Sequence, residues 1–315
     1  MKVLVYGAGV LGSYLAHALV RGGNDVTMLA RGSRFEELRK DGLVIRHYLQ
    51  RKTTVDQVKV IQTLPPDERF ELIFVVMKYN DFPAVLPILA ANASSHIVLV
   101  GNNATASDMQ QFLQTNSLSD KKIAFGFQLS GGRREKGRML CIRGGGQMVI
   151  GGLGAELPFK SLIDQTFAAV NYKITYHEDI DAWLKSHLPP ILALNAASYV
   201  YEGNFKQIAR DKKLVMKMVI AMDEGFRVLE ALGYTITPAG QLTFIRNRRQ
   251  LVYYFLRIYH LLPIAKLVDG SFAEIAALYR QFDGWKQRAA ISTPNWDELE
   301  EAFTAKINEQ AQPRV

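Results

Sequence analysis

The sequence predicts an α/β N-terminal domain built on a mostly parallel, doubly wound sheet, followed by an all-α C-terminal domain. Three observations carry that expectation. A G-x-G-x-x-G run opens at residue 7 between a β-type segment and a helical one. Apolar runs then alternate with helical periodicity as far as residue 100, and beyond residue 177 almost every segment is helical in pattern.

Residues 2–6 are apolar and largely β-branched. Residues 7–12 turn them into a segment whose apolar positions, Leu11, Leu15, Ala18 and Leu19, recur at helical spacing. Gly22 and Gly23 end that helix, and residues 25–30 (DVTMLA) read as a second strand, completing a strand–helix–strand unit of about 30 residues. Residues 72–77 (LIFVVM) and 97–100 give the third and fourth strands, separated by a helical stretch over 82–91. Between residues 122 and 177 the pattern changes to short strands punctuated by glycine. Residues 144–146 and Gly151, Gly152 and Gly154 are expected in hairpin turns with positive φ. Helical patterns follow to residue 305, broken near 233–238 and at Pro294, and the tail from residue 310 is expected to fray. The expected domains are therefore 1–178 and 179–315.

The glycine run sits where a dinucleotide fingerprint belongs, and each glycine has its own task. Gly7 permits the tight turn, Gly9 lets the backbone approach a pyrophosphate, and Gly12 allows the helix to pack closely on the strand. With Ala8, Val10 and Leu11 they form a loop that offers a phosphate the helix N-terminus, where unpaired N–H groups and the dipole favour an anion. This is a Rossmann-type motif. After the second strand the chain reads Ala30, Arg31, Gly32, Ser33, Arg34, with no carboxylate to hold a ribose 2′-OH, whereas Arg31 suits a 2′-phosphate. The expected cofactor is NADP(H).

Composition narrows the remaining classes. With 48% hydrophobic and 22% charged residues the 315-residue chain has the makeup of a soluble globular protein. A single cysteine, Cys141, rules out an intrachain disulfide framework and points to a reducing compartment, the cytoplasm. The first six residues run straight into the glycine motif, so no export signal is expected. Residues 251–268 are apolar but interrupted by Arg257, His260, Pro263 and Lys266, which favours a core or interface helix over a membrane span. The net charge of +8 is spread over short basic runs, Arg133 with Arg134 and Arg246 with Arg248 and Arg249, lacking interleaved aromatic residues, so no nucleic-acid partner is expected. Six histidines lack metal-ligand spacing, and Ser198 lacks a G-x-S-x-G setting. No metal site and no serine hydrolase are expected.

Over nearly its whole length the chain resembles the ketopantoate reductases (2-dehydropantoate 2-reductases), two-domain NADPH enzymes of the pantothenate pathway. The resemblance rests on GAGVLGSYLA from residue 7, the following Arg31, Lys78 after the third strand, GRR at 132–134 and IGG at 150–152. It implies that Lys78 and Asn102 lie near the cofactor. It also implies that Lys185, in a W-x-K segment with Trp183, protonates the substrate carbonyl oxygen as hydride arrives. Glu274, 20 residues before Pro294, matches a glutamate of the family's substrate pocket. The implied activity is NADPH-dependent reduction of a small 2-oxo acid across a cleft between the domains, with a homodimer through the helical domain as a possible assembly. The chain departs from the family at Gly101 to Asn103, which replaces H-N-G, and at Pro189, Ala193, Leu262 and Ala276, where polar residues are usual. Those losses leave ketopantoate one candidate among related carbonyl compounds. The alternative is a catalytically weak NADP(H)-binding sensor or interaction protein of the same fold.

Overall fold

The computed structural model describes residues 1–142, 146–154, 156–263, 265 and 270–311. Its contacts divide into two units, Met1–Asp181 and Ala182–Val315. The first unit opens with β1 (Lys2–Tyr6), α1 (Val10–Arg21), β2 (Asp25–Leu29), α2 (Gly32–Asp41), β3 (Leu43–His47), β4 (Lys52–Asp56) and β5 (Lys59–Ile61). It continues through β6 (Leu72–Val76), α3 (Phe82–Ala91), β7 (His96–Val100), α4 (Ala106–Asn116), β8 (Lys122–Gln128), β9 (Gly132–Glu135), β10 (Arg138–Cys141), β11 (Gly146–Gly151), α5 (Lys160–Phe167) and β12 (Tyr172–Tyr176).

An eight-stranded sheet in the order β12-β11-β8-β7-β6-β1-β2-β5 forms the centre of this unit. The run from β8 to β5 is parallel, and β11 joins β8 antiparallel. Central parallel strands are covered on both faces and so are apolar at successive positions. Accordingly Val3 to Tyr6 and all of β6 are buried. The chain leaves β1 toward β2 on one side and later returns as β6 on the other, so the order reverses at the carboxyl end of β1. The expected α/β sheet followed by helices is thus the observed fold class.

A second, four-stranded sheet, β4-β3-β10-β9, packs against α1. Between them His17 Nδ1 meets Asp56 Oδ2 at 2.5 Å, Arg21 Nε meets the other carboxylate oxygen at 3.0 Å, and His47 stands 5.1 Å from His17, ring to ring. The hairpin between β9 and β10 turns at Gly137, with φ +73°. Gly151, Gly152 and Gly154 do not take positive φ, contrary to expectation. Gly151 instead ends β11, and a Cβ there would come within 2.4 Å of the His177 carbonyl oxygen. Close packing, not a turn, demands that glycine. Parallel pairing of β11 with β12 through α5 replaces the expected succession of hairpins. Gly144, Gly145 and the last residues, 312–315, lie outside the described residues.

The second unit is helical: α6 (Ile180–Val200), α7 (Phe205–Arg210), α8 (Lys212–Ala231), α9 (Ala239–Asn247), α10 (Arg249–Leu261), α11 (Phe272–Ala289) and α12 (Pro294–Ala311). Helix α6 carries Pro189 and Pro190 in its interior. Proline donates no hydrogen bond, so Pro190 deprives the Ser186 carbonyl of its helical partner; Gln241 Nε2 approaches that carbonyl at 3.4 Å. Pro189 is buried against α8, where a Cβ on Gly225 would lie 2.7 Å from its ring and 2.9 Å from Trp296. The start of α12 follows the usual rules: Pro294 takes the first helical position, where its missing N–H costs nothing. Buried Glu224 of α8 accepts hydrogen bonds from Trp296 N and Asn295 Nδ2, both at 2.8 Å. A carboxylate at a helix N-terminus is stabilised by the dipole as well as by the bonds.

Helices α8, α9 and α10 are joined by one carboxylate. Asp223, 5% exposed, accepts from Arg246 Nε at 2.7 Å and Arg249 Nη2 at 2.8 Å, and Arg246 also forks onto Glu230. The hydrogen bonds that Arg246 donates to Glu230 raise its pKa above the ordinary value, with the one it donates to Asp223 assisting. Asp223→Ala is expected to cost about 2 kcal/mol in urea unfolding, less than a fully buried pair because both guanidiniums keep solvent contact. A loss below about 0.5 kcal/mol would show that the tie contributes nothing.

Burial pushes the His187 imidazole down to about 4 from its ordinary 6.5, and burial lowers His47 and His260 in the same direction. The folded state therefore refuses protons that the unfolded state accepts. Stability is retained above pH 6.5 and lost as pH falls toward 4, by on the order of 3 kcal/mol for His187. Urea unfolding of wild type and His187→Phe at pH 7 and pH 4.5 measures this. The acid-induced loss should be smaller in the variant, and equal losses in the two proteins would exclude His187 as its source.

Candidate functional site

The carboxyl ends of β7, β6, β1 and β2, adjacent in the sheet, carry Asn102, Lys78, the glycine loop and Arg31 respectively. Topology alone thus gathers these expected cofactor residues at one edge, on both sides of the point where strand order reverses.

Each glycine of the loop meets a different constraint. Gly7 has φ +120°, and a Cβ there would fall 2.3 Å from the Val76 carbonyl oxygen. At Gly12 a Cβ would fall 1.9 Å from the Gly7 carbonyl oxygen, so α1 could not lie this close to the turn with any other residue. Gly9 differs, because a Cβ there would meet nothing within 4 Å. The protein's own packing does not require glycine at residue 9, and the cleared space is where a phosphate group would come against the backbone. The first intrahelical bond of α1 runs from Ser13 N to Gly9 O at 2.9 Å, leaving the amides of the preceding turn directed past the helix end. No acidic residue occupies that first turn to compete with an anion. The loop fits a dinucleotide.

Arginines define the neighbouring end of β2. Arg31 is exposed and donates from Nη2 to the Tyr6 hydroxyl at 2.8 Å. Arg34 is buried, 6% exposed, and donates to the Ala8 carbonyl at 3.3 Å and to Ser13 Oγ at 3.2 Å, so it braces the glycine loop from α2. Burial lowers the Arg34 pKa, opposed by its hydrogen bond to Glu37 at 3.1 Å. Arg134 arrives from β9, donating to Glu37 at 2.8 Å and approaching Ser33 Oγ at 3.4 Å. Burial disfavours the ionised Glu37, but hydrogen bonds from Arg134 and Arg34 outweigh it and hold the carboxyl below its ordinary range. Two arginines share the one Glu37 carboxylate, and with Arg31 exposed at the end of β2 the patch is cationic. The sequence reading missed Arg34, Glu37 and Arg134 as parts of this site. The Arg34–Glu37 spacing of three on a helix was a readable signal. Arg134 stands in the GRR of the resemblance, but nothing in the sequence sets it beside Glu37, 97 residues away.

Lys78 is exposed just beyond β6, where its backbone carbonyl accepts from Asp81 N at 3.0 Å to start a 3-10 turn over Tyr79–Asp81. Asn102 is half-buried beyond β7, and the neighbouring Asn103 is buried and donates to Leu99 O at 2.8 Å.

The two expected catalytic residues belong to the helical unit. Lys185 lies on α6, 5% exposed, with Nζ 4.8 Å from the centre of the Tyr234 ring and 5.7 Å from that of Trp285. The negative faces of those rings favour its ammonium. Trp183 of the same segment stacks on His187 at 5.2 Å. Glu274, 8% exposed, occupies the first turn of α11. Helices α6 and α11 adjoin, joined by Tyr279 Oη donating to Leu192 O at 3.1 Å; Asn195 Oδ1 accepts from Gly270 N just before α11 at 2.8 Å. Ala193 and Ala276 are buried, whereas Leu262 is 47% exposed. Among the described residues no cluster of three or more His, Cys, Asp or Glu is arranged to hold a metal ion, and no helix is long and apolar enough to cross a membrane.

A family model described as ketopantoate reductase PanE/ApbA matches residues 3–154. A 45-residue stretch is 56% identical to the uncharacterized oxidoreductase YkpB of Bacillus subtilis (strain 168), covering 14% of this chain and only 15% of that relative. Among solved structures, the PanE/ApbA family ketopantoate reductase from Ralstonia eutropha JMP134 matches with a TM-score of 0.79 and 19% identity, covering 99% of this chain and all of that one. The 2-dehydropantoate 2-reductase from Methylococcus capsulatus gives 0.73 and 15%, covering 100% and 99%. D-mandelate dehydrogenase, solved as a ternary complex with NADH and anilino(oxo)acetate, gives 0.75 and 15%, covering 98% and 99%. At such identities these likenesses speak for the fold. Residues 3–154 thus match the ketopantoate reductase PanE/ApbA family model, and the chain over its length is built on the fold of the solved ketopantoate reductases.

Proposed function

We propose that this protein is an NADPH-dependent reductase of a 2-oxo acid, converting 2-dehydropantoate to pantoate or acting on a related carbonyl compound. The observation that carries this reading is the cationic patch at the end of β2, next to a glycine loop with open space at Gly9. NADPH, when bound, supplies hydride to the carbonyl carbon. The amides at the start of α1 would hold the pyrophosphate, and Arg31 would pair with the 2′-phosphate, with Arg134 reinforcing the positive field. Lys78 adds a cation at the same edge of the sheet.

On the substrate side, Lys185 would give its proton to the oxygen on which charge develops, and Glu274 would help orient the acid. Aromatic neighbours keep water away from the Lys185 ammonium, which strengthens its pull on an oxyanion. Pro189 and Ala193, buried along α6 after Lys185, can donate nothing to a polar substrate. That favours a less polar or bulkier 2-oxo acid than ketopantoate, a class to which the anilino(oxo)acetate bound by D-mandelate dehydrogenase also belongs.

Calorimetry with NADPH and NADH tests the cofactor. Wild type should prefer NADPH, Arg31→Ala should lose on the order of 1 to 3 kcal/mol for NADPH alone, and Arg134→Ala should lose less, also for NADPH alone. Equal affinity of wild type for the two nucleotides would overturn the assignment.

Turnover tests the chemistry. Lys185→Ala should slow hydride transfer by roughly 100-fold or more with NADPH affinity nearly unchanged. In a panel of 2-oxo acids, ketopantoate should be outperformed by bulkier, less polar members. An efficiency with ketopantoate of about 10⁴ M⁻¹s⁻¹ or higher, the best of the panel, would contradict the reading of Pro189 and Ala193.

A further inference from the structure

Gln128, the last residue of β8, is 2% exposed, and neither its Nε2 nor its Oε1 meets a hydrogen-bonding group among the described residues. Asn103, another buried amide near this edge of the sheet, differs in donating Nδ2 to Leu99 O at 2.8 Å, with only its Oδ1 unmatched. An amide kept from water without partners costs more than a made hydrogen bond returns, so Gln128 calls for a partner from outside the chain. Its backbone is fixed on both sides: Gly101 N donates to Gly126 O at 3.0 Å, and Leu129 N to Gln147 O at 2.9 Å. Side chains alternate along a strand, which sets Gln128 on the face of Ala124, in one core with Val5, Val76, Val100 and Leu15 of α1. Along the carboxyl edge of the sheet Arg31 follows β2, the glycine loop β1, Lys78 β6 and Asn102 β7, and Gln128 closes β8. With the 2′-phosphate at β2 and the pyrophosphate at β1, the second nucleotide of a bound dinucleotide runs across β6 and β7 toward β8.

We propose, resting on the NADPH assignment, that the Gln128 side chain binds the carboxamide of the nicotinamide ring. Complementarity selects that group. A glutamine amide presents donors and an acceptor together, and a primary carboxamide answers both, its N–H donating to Oε1 and its C=O accepting from Nε2. A carboxylate only accepts, so the substrate acid would set an anion against Oε1. Adenine offers a donor and an acceptor too, but it lies with the 2′-phosphate at the β2 end. Two bonds to one substituent stop the ring from turning over about its glycosidic bond. Gln128 thereby fixes which face of the nicotinamide, and which of its two hydrides, is presented to the carbonyl.

Calorimetry of the full chain with NADP⁺, its 3-acetylpyridine analogue and 2′-phospho-ADP-ribose tests this. The analogue carries a methyl in place of the amide nitrogen, and the third ligand lacks the nicotinamide altogether. Wild type should bind NADP⁺ roughly 10-fold more tightly than the analogue, the worth of one hydrogen bond to a buried partner. Gln128→Leu should lose roughly 10-fold or more for NADP⁺, bind NADP⁺ and the analogue alike, and hold 2′-phospho-ADP-ribose as wild type does. Without nucleotide its urea midpoint should be no lower than that of wild type, since leucine leaves no polar atom dry. Gln128→Met repeats each comparison with an unbranched side chain, should the leucine variant fail to fold. An unaltered affinity of the variants for NADP⁺, an equal loss for 2′-phospho-ADP-ribose, a midpoint lowered in both variants, or a wild type indifferent to the acetylpyridine exchange would each overturn the role of Gln128 and leave the cofactor assignment standing. A wild type that binds neither NADP⁺ nor 2′-phospho-ADP-ribose would remove both.

Discussion

Two backbone contacts at the end of β1 organise the N-terminal unit: Gly7 against the Val76 carbonyl, and Gly12 against the carbonyl of Gly7 itself. Because neither position has room for a methyl group, α1 can start directly on the edge of the sheet with its amide end facing outward. The direction of α1 then fixes much else. From its second turn onward it meets the second sheet through Tyr14, His17 and Arg21, and its start abuts β9, where a Cβ on Gly132 would lie 2.8 Å from Val10. Strand β9 is thereby held where Arg134 can reach α2. A local steric demand of two glycines is propagated into the placement of a charge more than a hundred residues away in sequence.

Much of this was legible in the chain. The first two strands and α1 follow from local pattern, and residues 82–91 were read as the helix that α3 is. The second sheet was not legible, because β3 pairs with β10 across some ninety residues. Periodicity reports which face is buried, not which distant strand lies beside it. The glycines of 151–154 misled for a related reason. A glycine required by a neighbour's bulk looks the same in sequence as one required by a positive φ, and only the packing of Gly151 against His177 and Ile180 separates the two.

In the helical unit the prolines show how position changes meaning. Pro189 and Pro190 would ordinarily end a helix. Here α6 runs on through them, with Gln241 set against one stranded carbonyl and Gly225 receiving the ring of Pro189. The segment that carries Lys185 is therefore anchored to α8 by shape and to α9 by a polar contact, neither of which a local reading of α6 could supply. The spacing from Pro294 matches Glu274 to a glutamate of the family's substrate pocket, and the structure sets it in the first turn of α11. Its burial depends on long-range packing that no spacing records.

The two arginines of α2 and its approach differ in how freely they can be replaced over evolutionary time. Arg34 is woven into the turn it braces through Ala8 and Ser13, so a descendant that lost it would have to rebuild the loop. Arg31 stands outside that weave, tethered only at its tip to a tyrosine hydroxyl. A lineage could exchange that one exposed side chain through a single codon and retune the adjoining surface while inheriting the scaffold beneath it intact. The fold thus separates what must be conserved from what is available for change, within three residues of one another.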